Sequence, residues 1–205
     1  MERRSKASGH TASRGYSKRA LVCSFPPIAA PDARVLILGS VPSIASLARQ
    51  QYYGHPQNSF WPIMGRLFGA GREVPYEERK RILHERGVAV WDVLRECHRE
   101  GSLDADILVE SESPNDFAAF FHGHPQIATI FFNGQRSEAM FRRHVMPIIA
   151  DLDRSLRYVR LPSTSPAHAG RNFAQKLAVW RAVARALQDK ELTTETQRTR
   201  RRKKQ

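Results

Sequence analysis

One stretch of ten residues, from Tyr52 to Trp61, gathers the side chains best suited to chemistry in this 205-residue chain. Its sequence, Tyr-Tyr-Gly-His-Pro-Gln-Asn-Ser-Phe-Trp, holds four aromatic rings, a histidine and an amide. Glycine and polar positions break the run, so it cannot form a regular amphipathic helix or strand. Such a cluster either packs into a core or lines a pocket for a flat, polar ligand.

Three side chains of this stretch differ in what they can do. The neutral amide of Asn58 cannot act as a strong general base, but it can position water and align its dipole with developing charge. His55 can donate a hydrogen bond to an anion, and Phe60 offers a wall for stacking. Each has a structural alternative, because Asn58 can stabilise the loop, His55 can serve a turn before proline, and Phe60 can pack in a core.

The elements that must position these residues follow one another as strand–helix units. Apolar runs predict strands at 34–38, 88–94 and 127–132, and the alternation at 157–161 predicts a fourth strand with one less buried face. Helices are predicted at 43–47, 60–68, 75–86, 114–121, 135–144 and 173–187, with Ser43 and Ser113 as caps. Four such units predict an α/β fold, a three-layer αβα sandwich around a central four-stranded, mainly parallel sheet.

Three polar loops leave the carboxyl ends of these strands. They are the Gly39 loop with its aromatic extension, the Asn133-Gly134 pair, and the loop from Ser163 to Gly170. In a parallel sheet such loops meet at one edge, so the site is expected there. Asn133 can read a ligand edge through its amide, or it can be a turn residue before glycine.

Three of these segments together resemble the uracil-DNA glycosylase superfamily, most closely its hypoxanthine-DNA glycosylase branch, also called the DNA-deoxyinosine glycosylases. Segment 39–43, Gly-Ser-Val-Pro-Ser, is similar to the first motif, and 163–167, Ser-Thr-Ser-Pro-Ala, stands in place of the second. Segment 55–61 is similar to the His-Pro-x-Asn-Arg-Phe-Trp segment of mismatch-specific uracil-DNA glycosylases. Segments 91–94 and 101–104 also look like the hypoxanthine branch. The resemblance covers roughly residues 25–188.

The departures from the related branches select the subgroup. Val41 stands where mismatch-specific enzymes carry a catalytic Asn, and neither Ser40 nor Val41 supplies the Asp of the classical uracil branch. The hypoxanthine branch is also apolar at that point, and its catalytic Asn matches Asn58. The iron–sulfur branches need four cysteines, whereas this chain has two. The second motif departs from the branch at His168, where Asn is expected.

The resemblance implies a monofunctional glycosylase that flips a deaminated base out of DNA and hydrolyses its N-glycosidic bond, with hypoxanthine as the first candidate. Asn58 is the implied catalytic residue, and the implied base-binding residues are Gly39, Ser40, Tyr53, Phe60 and Asn133, with Phe60 as the stacking wall. The implied DNA-binding residues are His55, Ser163, Ser165, Pro166, Ala167, His168 and Arg171. No lysine stands in the three loops, and Lys176 is expected to be a surface charge.

The composition and charge of the chain limit the cellular locations and partners that are expected for it. No run approaches 18 apolar residues and the N-terminus lacks an apolar core, so neither a membrane span nor a secretory signal is expected. The net charge of +13 divides into +5 in residues 1–20, +4 in 189–205 and +4 in the body. This excess favours a polyanionic partner, nucleic acid first, although charged tails can also serve solubility alone.

The predicted organisation is a disordered basic tail at 1–20, a single glycosylase-like domain at 21–188, and a second disordered basic tail at 189–205. We expect no metal, no organic cofactor and no membrane partner. A monomer in the cytoplasm, associated with the nucleoid if the source is bacterial, fits these features.

Two alternatives to the hypoxanthine activity stay open at this level. One is a glycosylase for uracil or for G:T and G:U mismatches, because pocket details decide among deaminated bases. The other is a non-catalytic DNA-binding module with a degenerate pocket, which the missing polar group at Val41 suggests.

Overall fold

A computed structural model describes residues 20–100, 106–150 and 155–202, with side chains described up to residue 188. The strands are β1 (Ala20–Cys23), β2 (Val35–Gly39), β3 (Val88–Asp92), β4 (Leu94–Arg99), β5 (Ser113–Pro114), β6 (Thr129–Asn133) and β7 (Arg157–Leu161). The α-helices are α1 (Ile44–Arg49), α2 (Phe60–Phe68), α3 (Tyr76–Glu85), α4 (Phe117–Gly123), α5 (Gln135–Met140) and α6 (Phe173–Arg202). A 3₁₀ turn lies at Val109–Ser111, and α5 continues into a π-helical turn at Phe141–Val145.

The central sheet is parallel throughout and has the strand order β3-β2-β6-β7. Strand β2 is buried along its whole length, as a central strand covered by helices on both faces must be. The predicted three-layer αβα fold with a four-stranded parallel sheet is confirmed. Because all four strands point the same way, Gly39, Asp92, Asn133 and Leu161 end side by side at one edge.

A second, antiparallel sheet of order β1-β4-β5 was not predicted from the sequence. The apolar run 88–94 was read as one strand, but β3 ends at Asp92. The backbone N–H groups of Val93 and Leu94 then bond to the carbonyls of Gly39 and Ser40, at 3.0 Å each. This bend redirects the chain into β4, which pairs with β1. The charged residues within β4 conceal its strand character in the sequence.

The residues that cap the helices confirm one predicted cap and correct another. Ser43 caps α1 as predicted, since its hydroxyl accepts a hydrogen bond from Ser46 N at 3.2 Å. The prediction that Ser113 caps a helix starting at Pro114 is wrong, because these residues pair with β4 as strand β5. Asp116 caps α4 instead, accepting from Ala119 N at 3.0 Å.

Several predictions fall at or beyond the limits of the described residues. The basic segment 1–20 lies outside them except for Ala20, and so does the segment 101–104 that resembles the hypoxanthine branch. The backbone of α6 runs to Arg202, past the predicted end at Leu187. The side chains of 189–205 lie outside the described part, so both disordered tails stay predictions.

Two absences apply to the part of the chain that the structure describes. None of its helices is both long and apolar enough to cross a membrane. No group of three or more His, Cys, Asp or Glu side chains within it is placed to hold a metal ion.

Candidate active site

A cavity of about 390 Å³ opens at the carboxyl edge of the central sheet. The last residues of β2, β3 and β6 and the loops after β2 and β7 contribute to its lining. Nine residues predicted for the site line it, namely Gly39, Ser40, Tyr53, Asn58, Asn133, Ser163, Ser165, Ala167 and His168. Val41, Tyr52, Asp92 and Thr164 also line it. The topology therefore brings most of the predicted site residues into one pocket.

Four predicted site residues are not part of this lining. Phe60 lies behind it, and His55 and Pro166 lie outside it. Arg171 instead lines an adjacent cleft together with His168 and Arg160. The ring of His55 accepts a hydrogen bond from Gln57 N at 3.1 Å, which is the turn-stabilising alternative raised from the sequence.

Gly39 lets two polar groups approach the pocket floor closely. A Cβ atom at this position would lie well inside 3.0 Å of Asp92 Oδ1 and 3.2 Å from Tyr53 Oη. Only glycine therefore allows this carboxylate and this phenol to face the same backbone atom. This close approach is a steric reason for glycine at position 39 of the pocket.

Tyr53 forms the aromatic face of the pocket. Its ring stacks on Phe60 with the centroids 3.9 Å apart, and Phe60 itself is 0% exposed. The backbone of Tyr53 has a φ of 53°, a left-handed conformation that is strained for a bulky residue. Phe60 thus supports the wall, while Tyr53 presents it.

The hydroxyl of Tyr53 is held in an unusual environment. Its oxygen is buried and makes no hydrogen bond of ordinary geometry to the described residues. Burial raises the pKa of Tyr53, the Asp92 carboxylate raises it further, and the nearby Asn133 amide lowers it. The phenol therefore stays protonated and remains a possible donor to a bound ligand.

Asp92 is a pocket residue that the functional predictions from sequence missed. It is 3% exposed, and its Oδ2 accepts a hydrogen bond from Ser24 Oγ at 3.2 Å. Its backbone carbonyl accepts from Asn115 Nδ2 at 2.9 Å, which fixes the end of β3. The signal in the sequence is an acid closing a buried strand, and placing the strand end at residue 94 hid it.

Asn58 closes a tight turn that starts at His55. Its N–H donates to the His55 carbonyl at 3.0 Å, and its Oδ1 accepts from Phe60 N at 2.9 Å, at the start of α2. Arg72 donates to the carbonyls of both Asn58 and His55. The loop-stabilising role is thus present in the structure together with the position in the pocket.

Asn133 ties the end of β6 to the loop after β7. Its Nδ2 donates to Thr164 Oγ1 and its Oδ1 accepts from Thr164 N, both at 2.8 Å. Thr164 is 0% exposed, and its carbonyl accepts from Ser59 N at 2.9 Å. Base reading by Asn133 stays a prediction, and the contacts present are those of a clamp.

The second loop turns sharply at its serines. Ser163 Oγ accepts from Ser165 N at 3.2 Å, and Ser165 Oγ accepts from Ala167 N at 3.3 Å. The backbone N–H of His168 donates to the Ser165 carbonyl at 3.1 Å. Pro166, Ala167 and His168 are exposed at the tip, where a duplex could reach them.

Lys176 corrects a prediction, because it is 4% exposed rather than a surface charge. Its ammonium donates to the Ser165 carbonyl at 3.4 Å, and burial lowers the pKa of this lysine. The residue lies on the face of α6 that also buries Trp180, Val183 and Leu187. Its recorded contact is structural and supports the second loop.

The arrangement combines an aromatic wall, a buried carboxylate and a fixed amide in a concave site. This arrangement suits a flat, polar ring that enters the pocket beside the exposed loop after β7. These are the features that a flipped nucleobase requires.

Comparison with known proteins agrees with this geometry. The family model of the uracil DNA glycosylase superfamily matches residues 26–188. A protein named hypoxanthine DNA glycosylase from Methanosarcina acetivorans is 33% identical over 163 residues, which cover 78% of this chain and 96% of that protein. One of the same name from Methanosarcina barkeri is 35% identical over 114 residues, covering 55% and 71%.

A solved structure gives the same result. The solution NMR structure of a candidate uracil DNA glycosylase from Methanosarcina acetivorans aligns with a TM-score of 0.67 and 31% sequence identity. The alignment covers 82% of this chain and 99% of that one. The family match spans the sheet, the three loops and most of α6, and so the chain belongs to the uracil DNA glycosylase superfamily.

Proposed function

We propose that the chain is a monofunctional DNA glycosylase that removes hypoxanthine from deoxyinosine in DNA, within base excision repair. The observation that carries the proposal is that Asn58, Asp92 and the Tyr53 ring line one pocket beside an exposed, duplex-facing loop. The two relatives named hypoxanthine DNA glycosylase support the choice of base.

The pocket offers a chemical reason for preferring hypoxanthine over adenine, from which it forms by deamination. Hypoxanthine carries an N1–H donor next to a carbonyl, whereas adenine has a lone pair on N1. An ionised Asp92 can only accept hydrogen bonds, so it attracts the first base and repels the second. In this proposal the base stacks on Tyr53, which Phe60 supports from behind.

Asn58 then serves the glycosidic step by orienting water. Cleavage builds positive charge on the sugar and negative charge on the departing base, and fixed dipoles stabilise both. The Asn58 Oδ1 has two lone pairs, and one of them accepts the hydrogen bond from Phe60 N. The other lone pair and the amide N–H groups are the means by which this residue holds water near the sugar.

The product of this mechanism is an abasic site in an unbroken strand. Strand cleavage by elimination needs an amine that attacks the sugar carbon. Among the described residues that line the pocket none is a lysine, and Lys176 donates to the Ser165 carbonyl. These contacts support a monofunctional reaction.

Removal of uracil is a second candidate activity with an observation in its favour. The N3–H of uracil presents the same donor to Asp92 as the N1–H of hypoxanthine, and the NMR relative is a candidate uracil DNA glycosylase. A non-catalytic DNA-binding module is the other candidate, and the observation in its favour is that an apolar residue, Val41, lines the pocket. Base release in vitro separates these possibilities.

The experiment uses the full chain on labelled duplexes that contain hypoxanthine, uracil, xanthine, adenine or a G:T mismatch. Single-turnover rates are measured with and without alkali, which converts abasic sites into breaks. We expect hypoxanthine to be released fastest, adenine to be left intact, and breaks to appear only after alkali. Uracil release with hypoxanthine left intact would reverse the choice of base, and no release at all would favour the binding module.

Asn58→Ala tests the role of the amide within the same assay. We expect base release to fall by about 10²–10³-fold with DNA affinity mostly kept. Since this change also removes the bond to Phe60 N, Asp116→Ala is the matched control. It removes the corresponding cap bond of α4, away from the pocket, and is expected to cost about 1 kcal/mol of stability with full activity. An Asn58→Ala enzyme as active as the wild type would contradict the proposed role.

We also propose a monomer that works in the cytoplasm, with the basic segments 1–20 and 189–205 adding non-specific attraction to DNA. Their charges of +5 and +4 support this, since each neutralised phosphate steepens the salt dependence of binding.

A further inference from the structure

We infer that Arg72 is a positioning residue for Asn58, a role that rests on the catalytic function proposed above for that amide. Arg72 lies outside the pocket lining and follows α2 in the chain. One of its terminal nitrogens donates both to the Asn58 carbonyl and, at 2.8 Å, to the His55 carbonyl. The guanidinium thereby grips the first and last residues of the turn that carries Asn58.

The turn contains no regular element and is held by a small set of hydrogen bonds. Within it, Asn58 N donates to the His55 carbonyl and Gln57 N donates to the His55 ring. That carbonyl accepts from both the turn N–H and Arg72. Without the guanidinium, the Asn58 carbonyl would lose this donor, while the peptide plane after Asn58 would keep the bond from Ser59 N to the Thr164 carbonyl. The plane would then be held at one end instead of two, and the side-chain amide would gain freedom.

The charges around Arg72 indicate that this grip costs stability. Arg79 donates to the Arg72 carbonyl at 3.0 Å, and Arg49 donates to the Gly54 carbonyl. Arg72, Arg79 and Arg49 thus all donate hydrogen bonds to backbone carbonyls in or beside the loop. Burial lowers the pKa of Arg72, and Arg79 and Arg49 lower it further. Its Nε is buried with no hydrogen-bond partner among the described residues.

Lys176 also donates to a backbone carbonyl from a buried position, so burial of a cation does not by itself mark a role in the site. Arg72 differs because both of its bonds go to the turn that carries Asn58, and its planar guanidinium fixes the direction of the two N–H groups on the donating nitrogen. What the arrangement secures is the orientation of the loop segment that enters the pocket. In an active site, a displacement of about 1 Å can lower the rate by roughly 10²-fold.

The test is a double-mutant cycle between Arg72→Ala and Asn58→Ala in the full chain. Arg72→Ala alone is expected to lower kcat for hypoxanthine release by about 10–100-fold, with KM changed less than about threefold. In the Asn58→Ala background the same substitution is expected to lower kcat by less than about twofold, because there is no amide left to position. Millimolar guanidinium should restore part of the activity of Arg72→Ala alone.

Arg81→Ala is the matched control, since it also removes one arginine charge. Arg81 lies on the exposed side of α3, where it pairs with Glu78 and Glu85 and does not contact the loop. Its kcat and KM should equal those of the wild type. Thermal unfolding is recorded for every variant, and Arg72→Lys replaces Arg72→Ala if the latter does not fold.

The outcomes separate the two proposals. If Asn58→Ala is fully active, the proposed role of Asn58 fails and the positioning role falls with it. If Asn58→Ala is impaired but Arg72→Ala lowers kcat equally in both backgrounds, the inference about Arg72 alone is overturned. A loss confined to KM also overturns it, because that pattern marks a contact with DNA rather than the positioning of a catalytic group.

Discussion

Gly39→Ala tests the pocket floor most directly, because it adds one methyl group between two of the groups on which the mechanism depends. The added Cβ would lie well inside 3.0 Å of Asp92 Oδ1 and 3.2 Å from Tyr53 Oη. Real Cβ atoms do not approach that closely, so the carboxylate must move. Asp92 is 3% exposed and held by Ser24, which leaves it little room.

The expected size of the effect follows from that displacement. Overpacking of a buried site typically costs about 1–3 kcal/mol of stability. A shift of the base-reading carboxylate by several tenths of an ångström to about 1 Å should lower kcat/KM for hypoxanthine by about 10–100-fold. The protein should still fold, because the contact is with a side chain rather than with neighbouring backbone.

Two other glycines provide matched controls. A Cβ at Gly65 would lie 2.8 Å from Gly71 Cα, so Gly65→Ala should destabilise the protein by a similar amount outside the pocket. A Cβ at Gly123 meets nothing within 4 Å, so Gly123→Ala should leave stability unchanged or raise it by up to about 1 kcal/mol. Glycosylase rates and urea unfolding are measured for all three variants.

The comparison isolates the steric argument from general loss of stability. Gly39→Ala should lose much more activity than Gly65→Ala at equal loss of stability. Wild-type activity in Gly39→Ala would show that Asp92 has no fixed task in base recognition. An equal loss of activity in both destabilised variants would show that stability alone explains it.

Two further predictions concern the scaffold of the site. Asn133→Ala should lower the free energy of unfolding in urea by about 2–3 kcal/mol, because it leaves the buried N–H of Thr164 without an acceptor. Asn133→Asp keeps that acceptor and should cost less. Equal losses in the two variants would refute the clamp. The second prediction is a pH dependence of stability. Burial, and then Lys80, lowers the pKa of His84 below its ordinary 6.5. The unfolded chain therefore takes up a proton that the folded chain resists, and Tm should fall as the pH drops through about 6.5. His84→Gln should weaken this fall, and an unchanged pH profile would contradict it.

Most of the central sheet could be predicted from the sequence because β2, β3 and β6 are short, mainly apolar runs, whereas β7 carries two arginines and is less buried. Apolar runs are the mark of strands buried on both faces, and β2, β6 and β7 lie within about two residues of their predicted bounds. The second sheet could not be predicted, because β4 carries charged side chains at Arg95, Glu96 and Arg99 and lacks the strict alternation that marks a half-buried strand. Its identity as a strand depends on pairing with β1, which is a tertiary contact.

The convergence of the three loops was predictable, but the division of tasks within the pocket was not. Tyr53 and Phe60 are both aromatic, and the sequence does not state which one faces the ligand. The left-handed backbone at Tyr53 decides this, and nothing in the sequence marks a non-glycine residue for that conformation. Asp92 was missed for a simpler reason, since it sits inside an apolar run that looks longer than the strand it forms.

Lys176 shows that one missed feature was within reach of the sequence. Lys176, Trp180, Val183 and Leu187 recur at helical spacing, and all four are buried. The phase of Lys176 on this stripe indicates the inner face, with its stem packed and its ammonium directed to a carbonyl. The residue type alone favours a surface charge, but its phase in the helix outweighs that preference.

Thr164 explains how the parts of the site are kept in one geometry. Its carbonyl accepts from Ser59 N beside the turn of Asn58, and its N–H and hydroxyl are bound to Asn133 at the end of β6. It also belongs to the loop whose exposed tip is proposed to meet DNA. One buried residue thus joins the turn of Asn58, a sheet strand and the loop that is proposed to face DNA. A site tied in this way is preorganised, so base flipping is expected to supply the mobile step while the protein groups stay fixed.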